Sequence, residues 1–223
     1  MAGANIIKKN KYKILIIDKR QKKIYNYNIK KGREAQDMGE QSKQIYVVIS
    51  QTGTILSRII KRLTGAQYNH ASISLDKELT RMYSFGRVNP YNAFIGGFVT
   101  ESPNFGTFKR FKDTDAIIIA LDVDEETYSK TENLVETMWN NRKHYHYNYL
   151  GLYLAAIHIP RKKKDCFYCS EFVAHVLTEC NIPGNETLGK IIHPMDFFKF
   201  PHRKIYTGKL RDYEDAKIKE GNI

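Results

Sequence analysis

Three cysteines and seven histidines carry most of the reactive chemistry in this 223-residue chain. The stretch Cys166-Phe-Tyr-Cys-Ser-Glu-Phe-Val-Ala-His-Val-Leu177 places Cys169 at the first turn of an amphipathic helix. A thiol there faces unpaired backbone N–H groups and the positive end of the helix dipole, and both favour the thiolate, the nucleophilic form. The same N–H groups are placed to donate to an oxyanion formed when the sulfur attacks a carbonyl. The competing reading is that Cys169 is a small buried hydrophobe, the usual fate of a free cysteine.

A thiol nucleophile needs a base, which can lie anywhere in the chain. His175 is six residues beyond Cys169, about 600° further round the same helix, and points elsewhere. His144 and His146 lie in a polar, aromatic, surface-like segment, His158 sits beside Pro160, and His193 and His202 flank a C-terminal turn. His70 differs, because it opens the strand-like run His-Ala-Ser-Ile-Ser-Leu directly after the turn Gly65-Ala-Gln-Tyr-Asn69. A rigid element would hold it at the end of a sheet. The alternative for any of the seven is a hydrogen-bonded structural role.

Cys166 and Cys169 also make a C-x-x-C pair, which by itself suggests dithiol redox chemistry or half a zinc site. His144 and His146 are the available partners for zinc. The segment before Cys166 is Arg161-Lys-Lys-Lys-Asp165, hardly a buried strand, and no second C-x-x-C exists. No metal or other cofactor is therefore expected.

The elements that must position these groups read as follows. Tyr12–Ile17 and Ile24–Ile29 flank a polar run and predict a basic N-terminal β-hairpin, with residues 30–43 as a linker. Gln44–Ser50 is a buried-type strand. Thr54–Thr64 carries Ile55, Leu56, Ile59, Ile60 and Leu63 on one helical stripe, with Gly65 to end it. Strands His70–Leu75 and Arg81–Phe85 follow, then a long Gly-, Pro- and Asn-rich loop with some strand in it, Gly86–Phe111. Ala116–Val123 is a strand, and Asp124 starts a helix with Glu125 and Glu126 in its first turn. An apolar helix, Tyr149–Ile157, ends at Pro160 and reads first as a core helix, or as the wall of an acyl pocket. Another helix runs from Cys169 to Glu179. Strands come first and helices late, so the fold class is α+β. Two units are expected, residues 1–43 and the main domain 44–223.

The charge sharpens this division. Residues 1–34 account for +9 of the formal +12. The body is thus only weakly basic, and no sequence-specific nucleic-acid module is recognisable. The hairpin, with Tyr12, Tyr25 and Tyr27, reads chiefly as a solvated strand face, and otherwise as a surface for an anionic partner. No run approaches the roughly 20 apolar residues of a transmembrane segment. The first residues do not resemble a secretory signal, so a cytoplasmic location with reduced cysteines is expected, and a disulfide scaffold is excluded.

Three pieces of the chain resemble the NlpC-type papain-like cysteine hydrolases in their circularly permuted, YiiX/YebB-like branch. They are Ile49-Ser-Gln-Thr-Gly-Thr-Ile-Leu-Ser-Arg58 leading to Tyr68-Asn-His-Ala-Ser-Ile-Ser74, Met82-Tyr-Ser-Phe-Gly-Arg87, and Phe167-Tyr-Cys-Ser-Glu-Phe-Val173. The order, histidine strand before cysteine helix, is the permuted one, and the likeness covers residues 44–208. It implies a papain-like fold, an antiparallel sheet packed on helices. It further implies Cys169 as nucleophile and His70 as general base, acting on an amide or ester of a cell-wall peptide or a lipid-like substrate. The family orients its histidine with a third polar residue, often an acid on the next strand. That strand offers only Tyr83 or Ser84. Glu101, from a neighbouring strand, is the candidate, against the alternative of an exposed carboxylate making no contact with His70. A weakly oriented histidine would mean modest activity or a specialised substrate. The runner-up function is a non-catalytic lipid- or peptide-binding protein of the same fold.

Overall fold

The computed structural model describes residues 42–52, 67–214 and 216. The expected N-terminal hairpin, the linker up to residue 41, the boundary between the two units and the Thr54–Thr64 helix lie outside the described residues. Six strands form one antiparallel sheet in the order β4-β3-β2-β1-β5-β8. They are β1 Lys43–Gln51, β2 His70–Ser74, β3 Met82–Asn89, β4 Asn92–Glu101, β5 Asp115–Val123 and β8 Arg203–Lys209. Among the described residues the helices that accompany them are α1 Gly106–Arg110, α2 Glu125–Asn140, α3 Tyr149–Ala156 and α4 Cys169–Glu179. Two-residue strands β6 (His146–Tyr147) and β7 (Cys166–Phe167) pair in parallel beside the main sheet. The molecule is α+β, as its order of elements implies.

The continuous apolar run of β1 has a simple cause: both faces of the sheet are covered. Ile45, Val47 and Ile49 join the larger core with α2 and α4, whereas Tyr46 and Val48 pack on the other side with Phe108, Leu210 and Tyr213. Such a strand has no solvent face to mark with polar residues. β2 is different. Ala71 and Ile73 enter the larger core, while Ser72 and Ser74, on the opposite face, are buried and polar. A polar strip under cover is unusual, and it leads directly to His70.

Gly86–Phe111, expected as a long loop, is mostly regular. β3 continues to Asn89, turns at Pro90 and Tyr91, and returns as the ten-residue strand β4 before the short helix α1. Its glycines suggested loop but serve close approach within the sheet. A Cβ at Gly96 would lie 2.7 Å from a ring carbon of Tyr147, and the Gly96 N–H donates to the Tyr149 hydroxyl.

Helix α3 needs a second correction. It ends at Ala156, with Ile157 as its cap and His158 in the left-handed region (φ 62°), before Pro160 is reached. It is not a core helix: only Gly151 and Ala155 are buried, while Tyr149, Leu150, Tyr153, Ile157 and Ile159 are exposed. Exposed Arg161, Lys162, Lys163 and Lys164 follow. Among the described residues no helix is long and apolar enough to cross a membrane.

An aromatic cluster locks the helix of Cys169 to the sheet. The Phe172 ring lies 5.5 Å from Phe85 and 4.8 Å from Phe98, Phe85 and Phe98 stack at 5.1 Å, and Trp139 of α2 meets Phe98 edge-on at 5.8 Å. Phe172 is fully buried. Replacing it by alanine should cost about 3–5 kcal/mol and loosen α4 from β3 and β4. Chemical denaturation checks this, and a loss below about 1 kcal/mol would show that the cluster does not anchor the helix.

Candidate active site

Cys169 is the first residue of α4, behind the cap residue Tyr168. Glu171, two residues on, accepts from the Tyr168 backbone N–H at 3.2 Å and from Asn148 Nδ2 at 3.0 Å. Asn148 also caps α3, accepting from the Gly151 N–H at 2.9 Å. One carboxylate therefore ties the starts of both helices together. Burial pushes its pKa up, against the lowering effect of these two hydrogen bonds. Ser170 donates to the Ile192 carbonyl at 2.7 Å and secures the same turn from the other side.

The packing of α4 across β2 brings the sulfur to the head of the histidine strand. Cys169 Sγ lies 3.9 Å from the carbonyl oxygen of Asn69, the residue next to His70, and Cys169 is near enough to the imidazole to help raise its pKa. Behind the imidazole, Nε2 is 3.0 and 3.1 Å from the two oxygens of Glu101. Nε2 is thus committed to the carboxylate, and Nδ1 is the ring nitrogen left over. Cys169, His70 and Glu101, three residues far apart in sequence, are brought together, with the last two hydrogen-bonded.

Glu101 is not an exposed, contact-free carboxylate. Its side chain is 7% exposed and His70's 14%, so the pair sits largely out of water. Ser72 Oγ donates to Glu101 Oε2 and approaches His70 Nε2 at 3.3 Å. Phe108 of α1 closes the far side, its ring edge-on to the imidazole at 6.1 Å. Gly86 keeps the floor open: a Cβ there would lie 3.1 Å from Glu101 Oε1 and 3.7 Å from His70 Cε1. Burial alone would lower the imidazole pKa, but the charge of Glu101 and the hydrogen bonds from Cys169 and Glu101 outweigh it, holding His70 well above its ordinary value.

Cys169 is itself buried, 4% exposed, and lies in the wall of a cleft of about 30 Å³ with Tyr68, Asn69, Leu152, Ala155, Ala156 and His193. His193 shares this cleft, but the histidine whose pKa Cys169 helps raise is His70. On another side stands Tyr147, whose phenol is pushed far above its usual pKa by burial and then by the neighbouring Cys169, and so stays protonated.

Ser72, Phe108, Gly86 and Tyr147 carried no functional signal in the sequence. Ser72 alone left a trace, lying two residues from His70 and so on the same strand face. All three cysteines are free and buried, Cys166 pairs in register with His146 on β6, and His144 is drawn to Asp165 at 3.0 Å. Among the described residues no group of three or more His, Cys, Asp or Glu is placed to hold a metal ion.

The imidazolium–carboxylate pair makes stability depend on pH with a definite sign. The folded pKa of His70 lies above its unfolded value of about 6.5, so the pair's contribution is complete below that pH and disappears as pH rises through the folded value. Glu101→Gln should therefore lower the melting temperature most near pH 6, with the gap to the parent shrinking in alkali. A gap that widens with pH would contradict a charged pair.

Comparison with known proteins adds no relative: no family model, no curated protein and no solved structure matches the chain.

Proposed function

We propose that this protein is a thiol-dependent hydrolase or acyltransferase with the permuted papain-like architecture that its sequence resembles. The observation that carries the reading is the hydrogen-bonded pair His70–Glu101 placed beside Cys169, which lines a cleft. In this reading the thiol proton already resides on Nδ1 of His70, giving a thiolate–imidazolium pair, while Glu101 holds Nε2–H and the ring orientation. The sulfur adds to an amide or ester carbonyl, and the developing oxyanion is met by N–H groups at the start of α4 and by the protonated Tyr147 phenol. Collapse of that adduct expels the amine or alcohol, which leaves with the proton His70 returns, and an acyl group remains on Cys169. Water or another acceptor then releases it.

The cleft favours a lipid-like acyl group over a cell-wall peptide. One wall is the apolar surface of Leu152, Ala155 and Ala156 on α3. The outer side of that helix is exposed and apolar, with the basic run Arg161–Lys164 just beyond it, an arrangement suited to an anionic lipid surface. The non-catalytic alternative, a binding protein of the same architecture, gives no reason for a carboxylate to be buried behind a histidine that stands beside a cysteine.

Two measurements separate these readings. Iodoacetamide should label Cys169 faster than Cys166 or Cys180, and His70→Ala should slow that labelling by about 10²-fold. Equal labelling of the three thiols would remove the activated nucleophile and with it the enzyme. A p-nitrophenyl acyl ester should leave an acyl adduct that peptide mapping places on Cys169, with octanoate esters turned over faster than acetate. Preference for acetate would count against the acyl-chain wall.

A further inference from the structure

The active-site edge holds a second, unsatisfied group. Arg87 follows Gly86 on β3 and is half-buried, and its Nη2 is fully enclosed with no hydrogen-bond partner. Its guanidinium lies 5.9 Å from the centre of the Phe111 ring, and that of Arg110 lies 5.5 Å from the same ring. Arg110 is held by the Tyr91 ring at 4.1 Å and donates Nη1 to the Pro90 carbonyl at 3.2 Å. Among the described residues neither arginine has an ion-pair partner. Of the acids of the site, Glu101 is already engaged by His70 and Ser72, and Glu171 by Asn148 and the Tyr168 N–H. Two like charges are thus gathered round one ring, one with an open buried donor.

This pair reaches the chemistry from both sides. Arg87 pairs across the strands with Gly96, where a Cβ would lie 2.7 Å from the Tyr147 ring, and Tyr147 pairs in turn with Phe167, two residues before Cys169. Phe111, the ring shared by the two arginines, follows the α1 helix whose Phe108 packs on His70. We infer that Arg87 and Arg110 form an anion subsite beside Cys169, taking a carboxylate or phosphate group of the substrate. A planar fork with free N–H groups suits two oxygens of such a group, and a bound anion would satisfy the open donor and relieve the repulsion together. The strain is visible in Arg87 itself, whose pKa is lowered by burial and then by Arg110. The inference rests on Cys169 being the nucleophile proposed above.

Paired alkylating reagents test it on the full chain without a known substrate. With iodoacetate and iodoacetamide alike, the sulfur forms a C–S bond and iodide leaves with the C–I electrons. The reagents differ only in carrying a carboxylate or a neutral amide. The ratio of iodoacetate to iodoacetamide rates at Cys169 should fall roughly threefold to tenfold in Arg87→Gln and in Arg110→Gln, and partly recover in Arg87→Lys. Arg203→Gln, which removes a charge paired to Asp122 elsewhere on the sheet, should leave the ratio unchanged. Protection of Cys169 from iodoacetate by inorganic phosphate but not acetate would support the subsite as one for phosphate, and the reverse as one for carboxylate. An unchanged ratio in both glutamine variants, or an equal fall in Arg203→Gln, would overturn the subsite while leaving the nucleophile intact. No preferential alkylation of Cys169 by either reagent would overturn the nucleophile first.

Discussion

The arrangement depends on one buried contact, the Glu101 carboxylate against Nε2 of His70. A carboxylate taken out of water is costly unless it is paired and hydrogen-bonded, and here His70 and Ser72 do both. In return it fixes which ring nitrogen is free. With Nε2 held, the imidazole has only Nδ1 left to work with. The same charge keeps the ring's basicity high in surroundings that would otherwise suppress it.

Such a pair survives only if its surroundings are rigid, and the sheet supplies that rigidity. β2 lies between β1 and β3, its far face is capped by Phe108, and its near face is pressed by α4. Phe85, Phe98, Phe172 and Trp139 hold α4 in place, so the packing that stabilises the domain also sets the separation of Cys169 from His70. Glycines at 86 and 96 have the complementary task. They keep side-chain volume out of two places where a carboxylate and a tyrosine ring must come close to the strand.

Helix α3 departs from this logic. Its residues are apolar almost all round, yet the tertiary structure uses only one narrow side of it. In water that exposure is unfavourable, and the chain places it beside both the cleft and a lysine-rich turn. Sequence pattern could not reveal this. A helix with no polar face has no direction, and only the neighbours decide which side is covered.

Local pattern determined much of the framework. The runs at 44–50, 70–75 and 116–123, the Asp124 cap and the amphipathic stripe after Cys169 each depend on periodicities of two or 3.6 residues, and those persist wherever the segment is placed. It also marked His70 and Cys169, since a strand start and a helix start are local features. What it could not decide was everything that depends on the register between strands. That register brings Glu101 of β4 behind a histidine of β2, with β3 between them, and turns Gly86–Phe111 from expected loop into a hairpin. It equally decides that Arg87 and Arg110, twenty-three residues apart, share one ring. Strand pairing and helix docking are long-range contacts among buried groups, so they are settled by the whole core at once and leave no periodic trace in any one segment.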